Sequence, residues 1–299
     1  MRLIPVGFLC NNACVFCAQG SLRVGDPGPQ DARVRALLDS ALGPRERDRA
    51  VAFVGGEPTL HEGLAGWVAE ARRLKARWSL VQTNGRRLAY AGYAASLAAS
   101  GLHALDVSLH GTTAAMHDYH TGVEGSCAQT LLGLRRAREA GLRVGVTTVV
   151  TRSNFRHLSE VVGLAAAHGA AAVHLDLAVA RGKALAAWAR VVPAPELVTE
   201  HLAAAVRAAR AAGLDVLVGG RSTSSGARRL FAGLGETEAP PAEAAAPRAR
   251  VAVPGARVKP APGAREVHGA GKKTGVELKT IFPGLFKAAP ETPSGAPRG

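Results

Sequence analysis

The chain has 299 residues, of which 47% are hydrophobic and 4% aromatic, and it carries a formal net charge of +14. That supplies a core for one or two domains, and with no run near the ~18 apolar residues of a membrane span the expectation is a cytoplasmic protein with no membrane contact. The positive charge does not mark a nucleic-acid binder, because Arg72, Arg73, Arg86, Arg87, Arg135 and Arg136 are scattered through Ala- and Gly-rich sequence with no interleaved aromatic run on which bases could stack.

Short apolar or β-branched runs alternate with longer Ala/Leu/Arg segments, the pattern of βα units around a parallel sheet. The pattern predicts strands at Arg2–Phe8, Ala50–Val54, Trp78–Thr83, Ala104–Leu109, Arg143–Val150 and Ala172–Ala178, with Leu214–Val218 as a further candidate. Helices are predicted at about 31–42, 62–76, 88–99, 125–140, 155–168 and 194–212. Asp31, Ser153 and Pro193 suit helix starts, and Gly101, Gly141, Gly169 and Gly213 suit helix ends. Six or seven units in roughly the first 220 residues fall short of the ~250 of an eight-unit barrel. The expected fold is therefore α/β, a partial (β/α)6-type TIM barrel over residues 1–220.

Residues 221–299 form an Ala/Pro-rich basic stretch, and Pro240–Gly263 has too little apolar surface to fold alone. A mostly disordered tail is expected there, with Val276–Phe286 as its one apolar island and a candidate docking segment.

Three of the four cysteines, Cys10, Cys14 and Cys17, follow the first strand within one short loop. In a barrel of this type that loop lies at the ligand-bearing end of the sheet. Thiolates are soft ligands for zinc or iron–sulfur clusters, and three of them leave a coordination position open. Zinc completed by a remote His61 or His110, or plain buried cysteines, are the competing readings. Further along, Gly55-Gly56-Glu57-Pro58 ends the second strand, where two glycines permit close backbone approach and Glu57 offers an acceptor to a cationic group. A Gly-Gly turn leading into a proline-started helix would also explain the glycines.

Cys-x3-Cys-x2-Cys with Phe16 before the last cysteine resembles the radical S-adenosylmethionine (SAM) superfamily signature. The resemblance covers roughly residues 1–220. It implies that Cys10, Cys14 and Cys17 hold three irons of a 4Fe-4S cluster, that SAM binds the fourth, and that Phe16 packs near the adenine. Gly55, Gly56 and Glu57 resemble the strand edge that binds the SAM amine. Ser108, in Ser108-Leu109-His110-Gly111, resembles a polar residue that touches the ribose or carboxylate. Thr83 and Asn84 are weaker matches, since Asn84-Gly85 also satisfies ordinary turn chemistry. Thr148, Asn154 and Val179 fall where the family often touches the nucleoside.

The cluster of His110, His117, Asp118 and His120 resembles a stretch of maturase-like members, and its residues either assist substrate protonation or cap the next helix. Cys127, alone on a predicted helix, suits a small buried hydrophobe. With no cysteine-rich extension, no second cluster is expected. With nine residues ahead of Cys10, no leader-peptide domain is expected either.

The implied activity is reductive cleavage of SAM to a 5′-deoxyadenosyl radical that abstracts hydrogen from the substrate. The implied partners are a peptide or small-molecule substrate and a reductant such as flavodoxin or ferredoxin. A peptide- or protein-modifying maturase, a small-molecule enzyme of cofactor or secondary metabolism, and a non-enzymatic zinc-binding protein stand as the three functional classes.

Overall fold

Alternate residues of a strand face opposite sides, and in the computed structural model this alternation sorts the strands' side chains into two separate apolar cores. The structure describes residues 1–20, 28, 31–47, 49–178 and 180–219, together with the backbone of 221–222. The expectations for Val179 and for the tail beyond residue 222, Val276–Phe286 included, lie outside the described residues.

Strands β1 (Arg2–Pro5), β2 (Ala50–Val54), β3 (Trp78–Thr83), β4 (Ala104–Ser108), β5 (Arg143–Val150), β6 (Ala172–Leu177) and β7 (Asp215–Val218) pair in parallel in chain order. A two-residue β8 (Arg221–Ser222) runs antiparallel to β7. Because β1 and β7 are not hydrogen-bonded neighbours, the sheet stays open, a partial barrel one parallel strand larger than six.

The helices are α1 (Asp31–Ala41), α2 (Leu64–Arg73), α3 (Tyr93–Ala99), α4 (Ala114–Thr121), α5 (Ser126–Glu139), α6 (Leu158–Ala167), α7 (Gly182–Ala186), α8 (Trp188–Val191) and α9 (Pro195–Ala211). Three of them, α4, α7 and α8, are absent from the sequence expectation. Helix α4 forms because the Thr113 hydroxyl accepts the Met116 N–H at its start and Gly122, at φ 67°, ends it. None of the helices among the described residues is long and apolar enough to cross a membrane.

The outer faces of the strands, including Ile4, Phe53, Val81, Leu105 and Leu175, pack against Leu38, Trp67, Leu97, Leu134 and Leu202 of the helices. The inner faces form a smaller plug of Ala52, Leu80, Ala104, Ala172 and Leu217. Two residues further along, the inward positions turn polar: Gln82, Asp106, Thr147 and His174. The buried Asp106 carboxylate accepts from Thr147 Oγ1 at 2.7 Å and Gln82 Nε2 at 3.2 Å. Burial pushes this carboxyl up, against the hydrogen bond from Thr147. The plug closes one end of the lumen, so ligand chemistry is confined to the C-terminal ends of the strands.

Candidate active site

A cavity of about 250 Å³ opens at those strand ends. Cys10, Cys14, Phe16, Cys17, Gly55, Gly56, Glu57, Thr83, Asn84 and Ser108 line it together, although they come from four separate strand ends.

The cysteine loop is clamped from several sides. The Ala13 and Val15 N–H groups donate to the carbonyls of Thr121 (2.7 Å) and His120 (3.0 Å) at the end of α4, and Lys183 N–H donates to Cys17 O (2.9 Å). Arg86 reaches across to donate to Asn11 O (2.5 Å) and Asn12 Oδ1 (2.9 Å), and Asn84 Nδ2 donates to Asn11 Oδ1 (2.7 Å). Within the loop, Asn12 N–H donates to Cys10 Sγ at 3.4 Å. Gly182, at φ 54°, lies so close that a Cβ there would meet Cys17 O at 2.4 Å.

The glycines ending β2 let the cysteine loop approach closely. A Cβ on Gly55 would meet Gly7 O at 2.2 Å, and one on Gly56 would meet the Phe8 and Leu9 carbonyls at 2.3 Å. Gly56 and Glu57 donate their N–H groups to Gly7 O and Leu9 O at 2.9 and 2.7 Å, tying the two chain segments together.

The Glu57 carboxylate is buried at 1% exposure and already accepts four hydrogen bonds. Thr59 N–H, Thr59 Oγ1 and Thr83 Oγ1 donate to Oε1 at 3.0, 2.6 and 2.6 Å, and Asn84 N–H donates to Oε2 at 2.6 Å. Burial pushes its carboxyl up while these donors pull it down. Glu57 therefore joins the ends of β2 and β3, with Oε2 holding the smaller share of these bonds. The turn chemistry of Asn84-Gly85 is present as well: Asn84 Oδ1 accepts Arg86 N–H at 3.0 Å, and Gly85 sits at φ 77°.

The histidines after β4 form a stacked group. Phe16 meets the His110 ring edge-on at 4.7 Å, and His110 stacks on His117 at 5.9 Å between centroids. His117 Nδ1 accepts His110 N–H at 3.2 Å, and His110 Nδ1 accepts Val149 N–H at 3.3 Å, so each neutral ring carries its hydrogen on Nε2. Burial holds His110 well below the usual histidine range and takes His117 down to about 4. His120 is spent bridging Met116 O and Thr151 Oγ1, both at 2.7 Å. Asp118 caps α5, accepting Gly125 N–H, Ser126 Oγ and Cys127 N–H at 2.7, 2.8 and 2.8 Å. Of the four, His110 alone lines the cavity.

Thr148 and Asn154 point elsewhere. Thr148 Oγ1 donates to Leu109 O at 2.6 Å, and Asn154 Nδ2 donates to His110 O and Val149 O at 3.1 and 2.9 Å. The neighbours of Thr148 in strand alternation, Thr147 and Val149, line the cavity instead, together with Gln82 and Asp176. Inward-facing parity along β3, β5 and β6 is the signal that identifies these residues.

Among the described residues, no three His, Cys, Asp or Glu side chains converge as one metal ion requires. The three thiols line one cavity wall at separate points of a clamped loop. That donor set fits a cluster taking each thiolate on a different iron.

A family model described as the Radical SAM superfamily matches residues 4–165. The chain is 29% identical to the AdoMet-dependent heme synthase of Oleidesulfovibrio alaskensis over 62% of this chain and 47% of that one. It is 33% identical to the mycofactocin maturase MftC of Mycobacterium ulcerans over 54% of this chain and 43% of that one. It thus spans about half the length of these curated relatives. The fold matches Streptococcus suis SuiB bound to S-adenosylmethionine with a TM-score of 0.59 at 17% identity, covering 73% of this chain and 50% of SuiB.

Proposed function

The chain belongs to the radical SAM superfamily of enzymes, which use a 4Fe-4S cluster and SAM, and from that premise we propose that Cys10, Cys14 and Cys17 hold the cluster and that the enzyme modifies a peptide or protein. Cluster and SAM together supply a 5′-deoxyadenosyl radical for hydrogen abstraction. The chain's own residues bind, orient and exclude. The Arg86 and α4 clamps fix the loop, the β2 edge at Gly56–Glu57 presents an amine-binding rim, and Ser108 with Asn84 faces the nucleoside. Phe16, propped by His110, offers an aromatic face to the adenine.

The observation that carries the substrate class is the charge of the cavity. In a chain of +14, no Lys or Arg is among the described residues that line it, whereas the partly exposed carboxylate of Asp176 is. A polyanionic substrate gains no partner there, and a group rich in N–H donors does. A small-molecule substrate is the second reading, favoured by the likeness to heme synthases. An external one-electron reductant of the flavodoxin or ferredoxin class completes the proposal.

Anaerobic reconstitution with iron and sulfide, then reduction and assay of 5′-deoxyadenosine, tests the radical chemistry. Wild type forms the product and Cys14→Ala loses it; product formation by the variant overturns the ligand assignment. Deuterated cell extract, split into a peptide and protein fraction and a small-molecule fraction, tests the substrate. Deuterium reaching 5′-deoxyadenosine from the first fraction supports the maturase reading, and transfer only from the second replaces it with the small-molecule one.

A further inference from the structure

The cysteine loop has a second face. Asn12 and Cys10 line the cavity, but Asn11 between them lines a separate groove of about 650 Å³ that also includes Arg86, Arg87, Tyr90, Tyr93 and Gln129. One loop is thus the partition between the groove and the cysteine cavity. Hydrogen bonds cross it directly, from Arg86 to Asn12 Oδ1 at 2.9 Å and from Asn12 N–H to Cys10 Sγ at 3.4 Å.

The groove is chemically distinct from the cavity. No Asp or Glu is among the described residues that line it. The Arg87 guanidinium lies over the Tyr93 ring at 5.1 Å, and Arg136 donates to Ala89 O beside the groove. Tyr90 stands 66% exposed at its edge. A basic surface with an exposed aromatic suits an acidic protein partner, and the net charge of +14 steers such a partner in from a distance.

We propose that this Arg86–Arg87–Tyr90 groove is the docking surface for a small acidic one-electron carrier protein, which reduces the cluster through the Asn11–Asn12 partition. The proposal rests on the reading of Cys10, Cys14 and Cys17 as cluster ligands. In the step the carrier is oxidised by one electron and the cluster reduced by one, with no bond made or broken.

The test is stopped-flow reduction of the reconstituted holoenzyme by reduced flavodoxin, followed by loss of cluster absorbance, with dithionite as the small-molecule control. Arg87→Glu slows reduction by flavodoxin roughly tenfold at low salt and flattens its salt dependence, while Arg87→Lys keeps the wild-type rate. Tyr90→Glu, at an exposed position that leaves the packing intact, slows it likewise. Dithionite reduces all variants at the wild-type rate. An unchanged flavodoxin rate in both acidic variants overturns the proposal, as does equal slowing with dithionite, which would place the effect in the cluster site. Iron and sulfide analysis precedes each run. A wild type without a cluster overturns the ligand reading and the docking surface with it, whereas normal cluster content with unchanged flavodoxin rates overturns the docking surface alone.

Discussion

On the wall built from the ends of β1, β2 and β3, polar groups are mostly spent on the protein itself. Glu57 accepts four bonds, Asn84 and Arg86 hold the cysteine loop, and Gly55 and Gly56 press against its carbonyls. On the opposite wall, from β4 to β6, Asp176 keeps 42% of its side chain exposed, accepts its neighbour Leu177 N–H at 3.0 Å and lies 3.8 Å from His174 Nε2. The first wall is a rigid frame, in which each change disturbs several buried partners. On the second, Asp176 can be exchanged without disturbing such a network, and under the proposed function it is a position where substrate preference is set.

Gly56→Ala breaks the first wall most severely, since its Cβ falls 2.3 Å from two backbone carbonyls that only chain movement can clear. A loss of about 4 kcal/mol in urea denaturation, with reduced iron content after reconstitution, is expected. Glu57→Ala leaves the Asn84 and Thr59 N–H groups and the Thr83 hydroxyl without their acceptor, and costs about 3 kcal/mol by the same measurement.

His117, on the helix α4 that holds the cysteine loop, adds a pH signature of similar size. Buried beside His110 and His120, with Asp118 and Arg86 near, its ring is held at about 4 against 6.5 when exposed. The unfolded chain therefore binds the proton first as pH falls, so stability is complete above pH 6.5 and is lost towards pH 4. His117→Asn, which keeps an acceptor for the His110 N–H, shrinks the difference in urea stability between pH 7 and pH 4 by about 3 kcal/mol. The smallest effect sharpens the contrast: Asp176→Asn leaves folding and cluster content intact and lowers kcat/KM for the substrate by about tenfold. Equal losses of stability in Glu57→Ala and Asp176→Asn would erase the distinction between the walls.

The strands were legible because each is a compact apolar run, and the cysteine loop because its spacing is itself chemical. The roles of individual rim residues were less so. Gly56 reads in the sequence as a site of close backbone approach or as part of a turn, and only the fold shows that the Phe8 and Leu9 carbonyls are what come close. Thr148 sat at the right height but on the wrong face, since one residue of strand parity moves a side chain from lumen to helix layer, and Asn154 lies past the end of β5, where its amide is spent on the His110 and Val149 carbonyls. Arg86 carried no sequence signal, because its role depends on Asn11 and Asn12, 75 and 74 positions away.

Cys17 and Gly182 meet at the mouth of the open sheet, the first from the loop after β1 and the second from the segment after β6. The contact works as a latch: the barrel is unstitched along its side yet fastened at its mouth, through the same loop that carries the three thiols. If Cys10, Cys14 and Cys17 hold a cluster as proposed, protection of α7 from proteases is expected to rise with the iron content of the protein.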